Sequence, residues 1–211
     1  MPQTPSLDRE VAAWQRQAYL IGVDEVGRGP LAGPVVAAAA VFPPRVARLR
    51  GVRDSKTLPA ARRAELVPKI LARAVTVAVA AASVREIDRL NIRVATALAM
   101  RRAITRARAA LDPAVPVTIL LDGLPMPECG YEHDALVEGD RLCFSVAAAG
   151  IVAKEVRDRL MQRLATRHPG YGWERNAGYG TGEHTGALQR LGPTWHHRRS
   201  FAPVSQMALP L

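Results

Sequence analysis

Two carboxylates, Asp24 and Glu25, stand side by side directly after the apolar run Leu20-Ile21-Gly22-Val23, and no other feature restricts this chain as much. A short apolar run bounded by turn residues suits a buried strand. Acidic residues are poor strand formers and costly to bury unpaired. At the end of a buried strand they need a partner, and a divalent cation is a natural one. Successive strand residues point to opposite faces. Asp24 can therefore ligate from one face, whereas Glu25 reaches the same ion only where the strand ends or twists. Gly27-Arg28-Gly29 follows at once, and the stretch leaves through Pro30, Gly33 and Pro34. The glycines let backbone approach a ligand closely, and Arg28 supplies a charged fork for phosphate. A solvated acidic pair on a glycine turn is the plain alternative, and the Gly-Arg-Gly sequence weighs against it.

A second apolar strand ends in the same way: Val117–Leu121 runs straight into Asp122-Gly123. Acids at strand ends cluster where neighbouring strands end together, which brings Asp122 beside Asp24. Asp140, ahead of the apolar stretch Leu142–Val152, is a further candidate. Elsewhere, Ser6–Gln17 reads as a short helix capped by Ser6. Val35–Phe42 reads as a strand joined to the first as a hairpin, Pro59–Ala72 as a helix, and Val75–Ser83 as a strand. Ile87–Ala110 has the spacing of one long amphipathic helix. The small-residue tract Cys143–Arg159 turns helical around Ala153–Thr166, and a last helix starts at Thr181 or Gly182 and ends at Arg190. This order predicts an α/β fold, a mixed sheet flanked by helices with a C-terminal helical appendage. The expected divisions are a short N-terminal helix in 1–17, a catalytic core over 18–168 and the appendage over 169–211.

The charge balance points to a polyanion. The 211 residues carry a net charge of +10, which favours nucleic acid or an anionic surface. Pro43–Arg73 holds nine Lys/Arg against two acids, and Lys154–Arg199 nine against four, while Asp122–Asp140 holds six acids and no Lys or Arg. Such blocks suit a protein that grips phosphates and also holds cations. Glu128, Glu132, Asp134 and Glu138 read as an acidic surface loop. Lys56, in the polar turn Arg53–Leu58, is a candidate phosphate contact. In Trp195-His196-His197-Arg198-Arg199, aromatics alternate with cations as on nucleic-acid surfaces. The histidines there, and His184, read as structural groups. Cys129 and Cys143 form no zinc-type pair and no disulfide framework. The N-terminus lacks the apolar core of a signal peptide, and a soluble, reducing, cytoplasmic setting is the expectation. Carboxylates without Cys or His select hard cations, Mg²⁺ or Mn²⁺. On a basic surface, two such ions suit phosphodiester hydrolysis by in-line displacement.

These residues carry a resemblance. Val23–Val36 (VDEVGRGPLAGPVV) is similar to the signature of type 2 ribonucleases H, the bacterial ribonuclease HII family. The likeness continues through Asp54–Leu58, Leu121–Gly123, Gly139-Asp140, Ser145–Lys154, Gly178–Thr181 with His184, and Arg199–Phe201, in order and at fitting spacing. It implies a ribonuclease H-like fold and endonucleolytic cleavage of RNA in RNA–DNA hybrids. It also implies incision 5′ of single ribonucleotides in duplex DNA, leaving 3′-hydroxyl and 5′-phosphate ends. By position, Asp24, Glu25, Asp122 and Asp140 match the family's metal-binding acids. Gly27, Arg28 and Gly29 match the motif that reads the 2′-hydroxyl, and Tyr179 the tyrosine that packs on that ribose. Three positions depart from the pattern: Ala177 stands where Lys is usual, Gly150 where Ser is frequent, and Glu138 where Lys is common. A monomer is expected. The tail 203–211 holds Gln206, Met207 and Leu209, elements of a sliding-clamp peptide without its aromatic pair.

Overall fold

The computed structural model describes residues 4–207. A five-stranded mixed sheet organises it, in the spatial order β3-β2-β1-β4-β5. β1 (Tyr19–Val26), β2 (Val35–Val41) and β3 (Thr76–Ala82) form an antiparallel meander, and β4 (Val117–Asp122) and β5 (Asp134–Leu136) add parallel to β1. β1 includes both adjacent acids, so the strand does not stop before them. All of β2 is buried, as its unbroken Val/Ala sequence requires of a strand covered on both faces.

Alternate residues of β1 feed two cores. Ile21 and Val23 join the layer under α4 (Ile92–Ala109), as do Met100 and Ile104. The opposite face packs on α6 (Phe144–Arg167) and α2 (Ala60–Leu71), with Phe42, Leu66 and Phe144 at its centre. Gly22 lies on this second face, and a Cβ there would meet the Ser145 carbonyl carbon and Val146 nitrogen at 2.5 Å. Helix and strand thus touch main chain to main chain.

Three expectations need correction. The predicted helix Ile87–Ala110 is two helices, α3 (Val84–Leu90) and α4, broken at Asn91, which adopts φ 70°. Asn is a strong N-cap, and the cap holds the chain in this turn: its side chain accepts the Val94 N–H at 3.1 Å. The second correction concerns α6, which starts at Phe144 rather than near Ala153. Its Ala/Gly-rich first turns are buried against the sheet, so no amphipathic period marks them. Third, the acidic segment is not wholly loop: Asp134 opens the short edge strand β5.

The N-terminal helix α1 (Asp8–Gln15) anchors α6. Glu10 is buried, and its Oε1 accepts from Ser145 N at 2.7 Å, Ser145 Oγ at 2.7 Å and Cys143 Sγ at 3.2 Å. A carboxylate at the first turn of a long helix satisfies free N–H groups and complements its dipole. Glu10→Ala should therefore cost about 2–3 kcal/mol in a urea unfolding curve; a loss under about 0.5 kcal/mol would show that α1 is ornamental.

Candidate metal and substrate site

The paired register of β1 and β4 builds the site. Val23 lies beside Leu121 in parallel, so the next residues, Asp24 and Asp122, end level with each other. Asp140 comes from α5 (Gly139–Leu142). Ligand oxygens of Asp24, Asp122 and Asp140 all lie within 4.8 Å of one another. Asp122 Oδ1 accepts the Gly139 N–H at 2.7 Å, which holds α5, and with it Asp140, over the strand ends. Asp24 Oδ1 accepts the Glu25 N–H at 2.6 Å.

Glu25 is not within that close group of three. Its Oε1 faces Arg28 Nη1 at 3.5 Å. It still shares the field: burial raises its pKa, Arg28 opposes that, and Asp122 adds to it. For Asp24, burial and then the charges of Glu25, Asp122 and Asp140 push the pKa well above the carboxylate range. Asp122 is raised by burial against the pull of the Gly139 and Asp140 N–H groups. Asp140 is pushed up to about 6 by burial, then by Asp122 and Asp54. Asp54 is thus a further acid at the site, passed over in the sequence as a member of the polar turn Arg53–Leu58; its Oδ1 accepts the Lys56 N–H at 2.9 Å. Lys56 lies in the same field. Burial pulls its ammonium down, but Asp24, Asp140, Asp54 and Asp122 outweigh that and hold it above the ordinary lysine value.

These shifts fix a pH dependence. Each of the three aspartates binds its proton more tightly folded than unfolded, so the stability gained is complete below the ordinary value of 3.8 and is lost as pH rises through the raised folded values, about 6 for Asp140. Metal-free protein should melt at a lower temperature at about pH 8 than at about pH 5, and saturating Mn²⁺ at the higher pH should recover the difference. A melting temperature unmoved by both pH and Mn²⁺ would mean that the acids do not share one field.

Asp24 owes its place to a missing side chain on α6. A Cβ on Gly150 would meet Asp24 Oδ2 at 2.1 Å. Along α6, Gly150 lies one to two turns beyond Ser145-Val146, the contact of Gly22. Two strand residues cover about 6.6 Å, and four to five helical residues about 6–7.5 Å, so strand and helix stay in step between the two contacts.

The loop 27–34 is clamped from below by two buried guanidinium groups. Arg198 donates to Gly27 O at 2.5 Å, Arg28 O at 2.7 Å and Gly33 O at 2.8 and 3.0 Å. Arg157 donates to Pro34 O at 3.0 Å, Ala177 O at 3.0 Å and Ala32 O at 3.1 Å. Gly27 has φ +91°, and a Cβ on it would strike Arg157 Nε at 2.1 Å. Gly29 is open instead: the nearest atom to a Cβ there is Tyr179 Cε1 at 3.7 Å. Gly29 and the half-exposed Tyr179 thus stand side by side next to Arg28, whose side chain is 48% exposed.

A neutral histidine chain holds Tyr179. Trp173 Nε1 donates to His184 Nε2 at 2.9 Å, so the His184 proton lies on Nδ1 and donates to Tyr179 O at 2.9 Å. His197 Nδ1 accepts the Thr194 N–H at 2.8 Å, which leaves its Nε2–H, 3.0 Å from His184 Nε2, to share that nitrogen's one lone pair with the Trp173 N–H. Burial lowers both histidines, His197 to about 3, so the pair stays uncharged. The structural reading of His184 and His197 agrees with these contacts. Ala177 lies at φ 48°, and Glu138 pairs with Arg141 at 2.8 Å on the surface.

The family model described as Ribonuclease HII matches residues 21–204. A Ribonuclease HII of Cereibacter sphaeroides is 58% identical over 204 residues, 95% of this chain and 92% of its own. Among solved structures, the ribonuclease H2 of Pyrococcus horikoshii OT3 superposes with a TM-score of 0.71 at 27% identity, covering 90% of this chain and 96% of that one. Bst-RNase HIII in complex with Mn²⁺ matches with a TM-score of 0.71 at 25% identity, covering 93% and 71%.

Proposed function

We propose, for a chain that belongs to the ribonuclease HII family, that it cuts 5′ of single ribonucleotides embedded in duplex DNA as well as within longer RNA–DNA hybrids. The coarser activity follows from the family: the chain is a divalent-metal-dependent endoribonuclease that hydrolyses the RNA strand of RNA–DNA hybrids. What supports the finer reading is three carboxylates within 4.8 Å of one another at the end of β1, and Tyr179 standing beside Gly29 in the loop that follows that strand.

The donor set fits a divalent ion. It is all oxygen, drawn from two strand ends and one helix turn, and its charges raise one another's pKa, as expected of groups that share a cation. Asp24, Asp122 and Asp140 would be its holders, with Glu25 turning to join them from the end of β1. Two Mg²⁺ or Mn²⁺ ions bound there would stabilise the attacking and leaving oxygens of an in-line displacement that yields 3′-hydroxyl and 5′-phosphate ends; the Mn²⁺ complex of Bst-RNase HIII supports a divalent ion of this kind.

The remaining groups select and orient the substrate. A 2′-hydroxyl is the handle that separates RNA from DNA. Backbone groups of Gly27 and Gly29, with the Arg28 fork, would bond it and the neighbouring phosphate, while the Tyr179 ring packs on the ribose and rejects a wholly deoxy site. Lys56 would meet a phosphate oxygen beside the acids. The core 18–168 supplies the acids and the appendage from 169 supplies Tyr179. One chain provides every group, so a monomer suffices, and we place its work in the cytoplasm. Among the described residues no helix is long and apolar enough to cross a membrane. The suggested clamp peptide lies partly outside the described residues, with Leu209 beyond them.

A nicking assay tests this on duplexes carrying one ribonucleotide, a ribonucleotide tract or none, with each metal in turn. Wild type should cut the first two and spare the third. Tyr179→Ala should reduce the preference for a ribonucleotide site by about tenfold or more, about the value of one stacked ring. Equal cutting of the all-DNA duplex by wild type would refute the reading.

A further inference from the structure

The segment Trp195–Arg199 is not used up by the site. Its members divide: His197 and Arg198 are buried structural groups, whereas Trp195 is 83% exposed and Arg199 also faces solvent. No other large apolar side chain among the described residues is as exposed. Arg199 stacks over the indole with its guanidinium carbon 5.6 Å from the ring centroid. Asp88 fixes this segment on α3: its carboxylate accepts from Arg199 N at 3.1 Å, Ser200 N at 3.0 Å and Ser200 Oγ at 2.6 Å. With its acid so occupied, Arg199 and the exposed Arg85 and Arg89 make no side-chain ion pair among the described residues.

Trp195 stands as a fin between two clefts. One, of about 580 Å³, is lined by Arg85, Asp88, Arg89 and Arg199. The other, of about 400 Å³, is lined by Pro34, Leu160, Leu164 and His196. Both lie at the catalytic end of the sheet. Val26 pairs with Val36, and Val35 with Ala82, so α3 begins level with the end of β1. The lateral offset is two strands, roughly 10 Å. Arg199 also directly follows Arg198, which clamps the loop 27–34.

We infer that Trp195, with Arg85, Arg89 and Arg199, is a stacking platform for an unpaired nucleotide of single-stranded nucleic acid flanking the cut site. Charge complementarity selects a polyanion. The cleft pair selects the form: cations on one side for phosphates, and an apolar slot beside an open ring face for a base. Paired bases keep their faces inside the duplex, so only an unpaired base reaches an indole. The inference takes from the proposed function only that the substrate is nucleic acid.

The test uses the full chain without divalent metal and a fluorescent eight-nucleotide oligothymidylate, read by anisotropy. Wild type should bind it, Trp195→Ala should weaken binding on the order of tenfold, and Trp195→Phe should restore most of the loss. Arg199→Ala should lower the slope of log affinity against log salt by about 0.7, one phosphate on a single strand. With Mn²⁺, wild type should show a lower KM on a ribonucleotide duplex carrying a single-stranded tail than on the blunt duplex, and Trp195→Ala should erase that advantage. No oligothymidylate binding, or the same loss for Trp195→Ala on blunt and tailed duplexes, overturns the inference; the latter result would make the patch a duplex contact. A wild type that binds the oligomer through Trp195 yet nicks nothing would support the platform and defeat the proposed cutting.

Discussion

Asp24→Asn should abolish cutting and, in the same protein, raise the stability of the metal-free fold. Both effects come from one fact: Asp24 is buried with its charge opposed by Glu25, Asp122 and Asp140. Removing that charge takes away one of the three proposed cation ligands. A lost ligand of this kind costs several kcal/mol of transition-state stabilisation, so nicking of a single-ribonucleotide duplex should fall by about 10³-fold or more. The amide keeps an oxygen for the Glu25 N–H and relieves a costly buried charge. At about pH 8 without metal, unfolding free energy should rise by about 1–2 kcal/mol. Saturating Mn²⁺ should then stabilise wild type more than the variant. A variant that still cuts, or one that is less stable than wild type in EDTA, defeats the placement of Asp24 at the centre of the field.

Arg198→Ala should be the most damaging change outside the acids. The guanidinium is fully buried and bonded to the carbonyls of Gly27, Arg28 and Gly33. Without it those oxygens lose these donors and the loop 27–34, proposed to read the ribose, loses its floor. We expect a loss of about 3–5 kcal/mol in unfolding free energy, as for other broken buried charge networks. Arg198→Lys keeps the charge but offers a point donor where a fork is needed. It should retain part of the stability while still losing most of the nicking rate. Chemical denaturation of the three proteins, with nicking assayed well below each melting temperature, separates loop geometry from global unfolding. An alanine variant within about 1 kcal/mol of wild type would show that the loop stands by itself.

Much of the site could be read from the chain because its signals are local. Strand runs ending in Asp24 and Asp122 announce their own positions, and parallel pairing then places them together. Asp140 needed only a glycine turn next to it. What escaped reading depends on contacts between distant segments. Nothing near Glu10 in the chain announces that it caps a helix beginning at Phe144. Arg157 and Arg198 look like two of many cations until their carbonyl partners are seen. The start of α6 was hidden because Ala148, Ala149 and Gly150 are buried with no periodic signature. The break at Asn91 is local, yet helical spacing on both sides of it masked the cap.

The contact of Gly22 with the backbone of Ser145 and Val146, and of Gly150 with the Asp24 carboxylate, has a bearing on how this protein can drift over generations. Where peptide atoms set a spacing, no choice of rotamer can adjust it. Aliphatic residues elsewhere in the interior are free to trade volume with their neighbours, layer by layer, without disturbing the acids. At Gly22 any added carbon must pry α6 from the sheet, whereas at Gly150 it need only swing the Asp24 carboxylate, so the seam fixes the backbone spacing at one position and leaves the acid's rotamer to be set at the other.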